Sequence, residues 1–294
     1  MGVNTESKSQ KKVHEMTAFV LAGGGTRGAA QVGMLEELTR RGIFPDRIYG
    51  ASVGAINGAC YASNPTADGV ASLANIWRSM TGSEVFPQRR VHGPWAYFGR
   101  RESMHPNAGL RSVISRGIGY KNLEEAVIPI EVVATSLHDG EERWFAKGDA
   151  ISALLASSAI PAILPPVVID GEVLLDGGIV NNVPISRAIQ AGAKRIFVLL
   201  CEPLHYLPNP PSRPYEAGLM ALFLAVHARF IRELTMLPPG IEVVVFNGSG
   251  EPSVQYRDFS DTPALIDEGR IEVAKVLDHG QTKVELTLTC ARPS

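Results

Sequence analysis

Two short apolar runs, each ending in a turn of small residues and each followed by a helical pattern, constrain this chain more than any other feature. Thr17-Ala-Phe-Val-Leu-Ala22 runs straight into Gly23-Gly24-Gly25-Thr26-Arg27-Gly28. A continuous apolar run bounded by glycine reads as a strand buried on both faces. Residues 29–41 then carry Val32, Leu35 and Leu38 near helical spacing. The unit repeats. Arg47-Ile-Tyr-Gly-Ala51 predicts a short strand, Ser52 a tight turn and residues 54–63 a helix. Parallel strands need a crossover between them, and a helix supplies it. The pattern predicts an α/β fold of three layers, a mostly parallel central sheet with helices on both faces.

The rest of the chain extends this pattern. Residues 66–82 predict a helix carrying Leu73, Ile76, Trp77 and Met80. Residues 83–108 hold Pro, Gly, the arginines 89, 90, 100 and 101, and the aromatics Phe86, Trp95, Tyr97 and Phe98. This long irregular segment reads either as a lid facing an anionic interface or as ordinary surface and packing residues. Ile130–Thr135 predicts a strand, with Trp144-Phe145 in its hairpin partner beyond the Asp139-Gly140 turn. Residues 149–159 predict a helix stopped by Pro161, and Val167–Ile169 and Val173–Leu175 flank a second hairpin turn at Asp170-Gly171. Arg195–Leu200 and Ile241–Phe246 read as buried strands. Asp261-Thr-Pro263 is expected to cap a last helix that ends near Leu277, with Gly280 beyond it. With no internal repeat and no clean linker, residues 15–294 are expected to form one domain behind a flexible tail at 1–14.

Composition narrows the function classes. Of 294 residues, 45% are hydrophobic and 20% charged, which excludes disorder for the bulk of the chain. Twenty-eight basic residues against 30 acidic ones give a net charge of -2, which argues against a nucleic-acid partner. Cys60, Cys201 and Cys290 are too few and too scattered for a disulfide framework or a zinc cluster, and fit a reducing compartment. The first 14 residues hold no apolar signal core, and Glu6 stands where a myristoylation motif wants Ser or Thr. The most apolar stretch, Gly218 to Ile231, contains His227 and Arg229 and falls short of the roughly 20 residues of a membrane span. A soluble cytoplasmic protein is expected; contact with a membrane surface stays open, and so does the oligomeric state.

Three constellations carry chemistry. Gly50-Ala51-Ser52-Val53-Gly54 matches G-x-S-x-G, whose glycines permit a sharp strand-to-helix turn that exposes a serine hydroxyl. A tight turn with a helix-capping serine fits the same residues. Gly23–Gly28 can aim several backbone N–H groups at one anion, with a helix dipole behind them. That anion is a phosphate or the oxyanion of an ester's tetrahedral intermediate. The loop lacks the Gly-Lys-Ser/Thr ending of a P-loop, yet it satisfies G-x-G-x-x-G literally, and Asp46 stands close to where a ribose-binding acid belongs. The third is Asp176-Gly177-Gly178, a turn that can present a carboxylate.

In this order, the Gly-Gly-Gly-Thr-Arg-Gly loop, the Gly-Ala-Ser-Val-Gly elbow and the Asp-Gly-Gly turn resemble the patatin-like phospholipases. Ala156-Ser-Ser-Ala-Ile-Pro161 with Pro165-Pro166, and Asn181-Asn-Val-Pro184, add to the likeness, which runs from about Thr17 to Arg195 and more loosely to the last helix. The resemblance implies a serine acyl-ester hydrolase of lipids, of phospholipase A or lysophospholipase type. It implies a Ser–Asp dyad without a catalytic histidine, metal or cofactor. Ser52 would be the nucleophile and Asp176 the base. The N–H groups of Gly24, Gly25 and Thr26 would form the oxyanion hole, supported by Gly23, Arg27, Gly28, Gly50, Gly54, Gly177 and Gly178.

Rivals remain at this stage. His205, His227 and His279 all follow Asp176, so the order Ser, Asp, His of a triad is available, although none sits in a turn like those of Ser52 and Asp176. A nucleotide-binding regulatory protein using Gly23–Gly28, or an acyl-lipid sensor without turnover, are the alternatives outside catalysis. Arg27 is open between a lipid phosphate and an ion pair with a nearby acid. Leu219, Leu222, Phe223 and Val226 either line an acyl pocket or pack a core helix.

Overall fold

In a computed structural model, which describes residues 15–87, 103–204, 214–249 and 256–279, the apolar runs form the middle of an eight-stranded sheet. The strands are β1 (Thr17–Leu21), β2 (Arg47–Ala51), β3 (Ile130–Ser136), β4 (Glu142–Phe145), β5 (Val167–Ile169), β6 (Glu172–Asp176), β7 (Arg195–Leu199) and β8 (Glu242–Phe246). The helices are α1 (Ala29–Arg40), α2 (Val53–Ser63), α3 (Ala67–Ser79), α4 (Gly82–Val85), α5 (Ala108–Gly117), α6 (Ala150–Ser157), α7 (Gly178–Asn181), α8 (Ile185–Gln190), α9 (Pro214–Thr235) and α10 (Thr262–Asp278).

The strand order is β5-β6-β3-β2-β1-β7-β8, with β4 pairing β3 outside that path. β3, β2, β1, β7 and β8 run parallel. β4, β6 and β5 add antiparallel pairs at one side. β1 has partners on both edges, which is why its run is unbroken by polar residues. Leu21 lies opposite Gly50 of β2 and Leu199 of β7. The ends of these three strands are therefore level, and the segments that follow them open on one edge of the sheet.

Alternate residues fill two cores. Phe19, Leu21, Ile48, Ile130, Val132, Leu199 and Phe246 face α1, α2, α3, α5, α6 and α10. Ala18, Val20, Tyr49, Ile196, Val198 and Val245 face α8 and α9. This is the three-layer arrangement expected from the sequence. The closest helix contact joins α1 to α10: a Cβ at Gly33 would stand 1.8 Å from the Ile266 carbonyl oxygen, so the two backbones touch.

Several local expectations meet the structure directly. Asp170 (φ 50) and Gly171 (φ 83) both take positive φ, as a two-residue type I′ hairpin demands. Asp261 does occupy the N-cap of α10, but it makes no side-chain capping bond; its backbone is αR rather than extended, so the carboxylate cannot reach back to the first free N–H groups. The helices α5 and α8 were not anticipated. The apolar stretch 218–231 lies within the 22-residue α9, where Phe230 and Leu234 are buried while Leu224 is half exposed. No helix among the described residues is long and apolar enough to cross a membrane. The expected tail at 1–14, Trp95, Tyr97, Phe98 and the four arginines of the irregular segment, and His205, Gly280 and Cys290 lie outside the described residues. Of that segment, Phe86 is buried and packs edge-on against Tyr256, a packing role.

Candidate active site

The second strand–helix junction is a strained elbow. Ser52 sits between β2 and α2 at φ 52, ψ −126, a conformation L-residues seldom hold. Its neighbours explain how the turn closes. A Cβ at Gly54 would lie 2.3 Å from the Leu21 carbonyl oxygen, so only glycine lets α2 start this close to β1. The Ser52 N–H donates to Ser157 Oγ at 3.0 Å, tying the elbow to α6.

Asp176 ends β6 and is fixed on every side. The Ser52 hydroxyl donates to its Oδ2 at 2.7 Å, and the Gly178 N–H donates to its Oδ1 at 2.7 Å. Its own carbonyl accepts from Thr135 Oγ1 at 2.7 Å, and its N–H donates to the Ala159 carbonyl at 3.0 Å. Gly177 packs against the Val133 carbonyl oxygen, where a Cβ would stand at 2.1 Å. Both key side chains are buried, Ser52 at 6% and Asp176 at 5% exposure. Burial pushes the Asp176 carboxyl up from 3.8 to about 6, against the two hydrogen bonds, which pull it down. The direct bond between Ser52 and Asp176 leaves no room for an imidazole between them. Among the three histidines raised above, His227 lines a smaller neighbouring cavity and His279 sits exposed at the end of α10.

The glycine loop completes the arrangement. The Gly23 N–H donates to the Asn182 carbonyl at 3.2 Å, and Asn182 Nδ2 donates to the Gly23 carbonyl at 3.3 Å. Gly24 passes over Cys201, whose Cβ would lie 2.2 Å from an added Cβ. Gly25 takes φ 58 and opens a 3-10 turn, Gly25–Gly28, that leads into α1. The N–H groups of Gly24, Gly25 and Thr26 donate to no acceptor among the described residues. They are the free donors of a helical N-terminus, and they stand beside Ser52.

Two cavities meet at Ser52. One, of about 730 Å³ including its open mouth, is walled by Val53, Ile56, Leu73, Trp77, Leu110 and Phe259, among other apolar side chains. The other, of about 710 Å³, is lined by Gly23, Gly24, Gly25, Ser52, Asp176, Asn182 and Glu202, with Ile160, Ile179 and Val226. Among the described residues, the apolar wall thus comes mainly from α2, α3 and α5. Of the stripe on α9, Val226 lines the polar chamber, and the side chains of Leu219, Leu222 and Phe223 lie outside the described residues.

Arg27 is buried, with Nη1 donating to the Ser249 carbonyl and Nε lacking a partner among the described residues. Among the described residues it makes no ion pair and lines neither of the two cavities. Its charge does lower the Glu202 carboxyl, but burial outweighs it and Glu202 rises from 4.5 to about 7. Sequence reading also missed a buried polar chain behind the loop. Gln31 Nε2 donates to the carbonyls of Ala22 (2.8 Å) and Leu199 (2.9 Å). Asn57 Nδ2 donates to the Gly28 carbonyl and to Gln31 Oε1, both at 2.9 Å, and Trp77 Nε1 donates to Asn57 Oδ1 at 2.8 Å. The chain ties both ends of the glycine loop to the wall of the apolar cavity. Only the Ala-Ser-Ser and Asn-Asn motifs, which hold Ser157 and Asn182, gave any sequence signal for these supports.

The patatin-like phospholipase family model matches residues 19–189, a span that contains Ser52, Asp176 and the glycine loop. Mouse patatin-like phospholipase domain-containing protein 6 is 30% identical over 184 residues, 62% of this chain and 13% of that protein. An uncharacterized NTE family protein of Mycobacterium tuberculosis is 31% identical over 207 residues, 70% of this chain and 54% of that one. The chain therefore matches about half, or much less, of the length of these relatives. The crystal structure of VipD from Legionella pneumophila superposes with a TM-score of 0.48 at 14% identity, covering 91% of this chain and 67% of that chain. With more than half of its length matched by the family model, the chain belongs to the patatin-like phospholipase family.

Proposed function

We propose that the chain is a serine acyl-ester hydrolase acting on lipids, of phospholipase A or lysophospholipase type, with Ser52 as nucleophile and Asp176 as base. The observation that carries the reading is the 2.7 Å bond from Ser52 Oγ to Asp176 Oδ2, set where an apolar cavity meets a polar one. Ser52 Oγ attacks the acyl carbonyl carbon while its proton passes to Asp176. The free N–H groups of Gly24, Gly25 and Thr26 receive the negative charge that grows on the carbonyl oxygen; one such donor typically contributes about 10²–10³ in rate. The intermediate collapses, and the alcohol leaves with the proton held by Asp176. Water then attacks the acyl group on Ser52 by the same route in reverse.

The raised Asp176 carboxyl supports its role. A buried carboxylate near 6 accepts a proton far more readily than an ordinary one near 3.8. The acyl chain belongs in the cavity walled by Ile56, Leu73, Trp77 and Leu110, and the alcohol part in the polar chamber. A nucleotide at the glycine loop fits less well, because Asp176 and Glu202 are the charged side chains among the described residues lining that chamber. The test is hydrolysis of acyl esters of graded chain length by wild type, Ser52→Ala and Asp176→Asn. Turnover by wild type that both variants lose while folded is expected. Activity surviving in Ser52→Ala would sink the mechanism, and tight acyl binding without turnover in wild type would favour a sensor.

A further inference from the structure

Glu202 follows β7 on the same edge of the sheet as the glycine loop and the Ser52 elbow. It lines the polar chamber together with Ser52, Asp176 and Asn182. Burial and the Arg27 charge act on its carboxyl, with no hydrogen bond beside them, and no Lys or Arg among the described residues lines that chamber. Two basic side chains lie near it. The Arg27 guanidinium is buried and committed to the Ser249 carbonyl. His227 shares with Glu202 a smaller adjoining cavity, not the chamber that holds Ser52. Glu202 is not used by the proposed chemistry, and the 2.7 Å dyad is complete without it.

The free N–H groups of Gly24 to Thr26 create a difficulty that Glu202 resolves. Such donors suit an oxyanion in the transition state, but they suit a phosphate in the ground state just as well. An anionic headgroup would compete for them and settle unproductively. A carboxylate in the same chamber opposes that competitor by charge while offering an acceptor to hydroxyl groups. We propose that Glu202 sets the leaving-group specificity of the site, favouring acyl esters whose alcohol part is uncharged or zwitterionic and turning away those whose alcohol carries a phosphate monoester. This rests on the hydrolase reading for its substrate class, but the charge selection itself is a binding property and is measurable without turnover.

The probes are two non-hydrolysable ether lipids with the same alkyl chain, 1-O-dodecylglycerol and its 3-phosphate, used below their aggregation limits. Binding is followed by tryptophan fluorescence, since Trp77 lines the adjoining apolar cavity. The buffer is held near pH 8.5, above the value of about 7 to which burial brings Glu202, so that the carboxylate is charged. Wild type is expected to bind the neutral ether more tightly than the phosphate by roughly tenfold or more, the scale of one uncompensated charge at an effective dielectric of about 20. Glu202→Gln, which keeps the shape, should shrink that ratio severalfold, and Glu202→Lys should invert it. Equal or tighter binding of the phosphate by wild type would overturn the proposal. So would a ratio that neither substitution moves. Acyl-ester turnover by wild type and Ser52→Ala, run in parallel, tests the hydrolase reading separately: a lost turnover with a Glu202-dependent binding ratio refutes that reading and not the selection.

Discussion

Replacing Asp176 by Asn is expected to remove hydrolysis and, at alkaline pH, to make the fold more stable. The carboxyl is 5% exposed, and burial raises it from 3.8 to about 6. A carboxyl raised in this way binds its proton more tightly in the folded than in the unfolded chain. Stability is therefore highest below the unfolded value, falls as pH rises through the window from 3.8 to about 6, and stays low above it. At about 1.36 kcal/mol per pH unit, that window corresponds to a loss of about 3 kcal/mol for wild type. Asn carries no charge at any pH and escapes the loss. It also has one acceptor oxygen where the carboxylate has two. Either the Ser52 hydroxyl or the Gly178 N–H, both now donating at 2.7 Å, then loses its acceptor, at about 1–2 kcal/mol. The variant should be less stable than wild type by about 1–2 kcal/mol near pH 4 and more stable by a similar amount near pH 8. Urea unfolding of both proteins at pH 4, 6 and 8 measures the difference, in which groups common to both cancel. A difference that stays constant across that range would refute the claim that Asp176 is a desolvated, ionising group in the folded chain.

Two more expectations concern the proposed reaction. For an uncharged ester, kcat/KM should rise with pH through about 6 and then level off, because Asp176 must be ionised to take the serine proton; a profile flat from pH 5 to 8 would remove it as the base. Ile56→Trp places a larger side chain in the wall of the apolar cavity beside Ser52, so the chain-length preference should move to shorter acyl groups, with KM for long chains rising about tenfold, the scale of one or two buried methylenes lost; an unchanged length profile would place the acyl chain elsewhere.

The legible parts of this molecule were those where backbone geometry leaves a local mark. The β2 and β6 junctions were readable because glycine is forced wherever an added Cβ would strike the Leu21 or Val133 carbonyl. The pairing of Ser52 with Asp176, 124 positions apart, came from the order of motifs shared with a family and not from spacing. What stayed hidden is built from side chains of distant elements. Gln31, Asn57 and Trp77 each look like ordinary helix residues until α1, α2 and α3 bring their polar atoms together. The α9 stripe left its role open, because amphipathic spacing reports a face and not the layer it meets. Glu202 gave no sign, since an acid after a strand is common and its meaning comes from a chamber with no opposing cation among the described residues.

The backbone at Ser52 has a consequence for how this sequence can change over time. At φ 52 and ψ −126, the residue that would rest most easily in the elbow is glycine, which lacks the hydroxyl. The drift that favours sturdier folds therefore pushes against the serine at every generation. A descendant with no need for the proposed reaction is expected to lose Ser52 early, the relieved backbone set against the hydrogen bond that Asp176 loses. Copies that still carry it mark lineages in which the hydroxyl is being kept against a standing structural pressure.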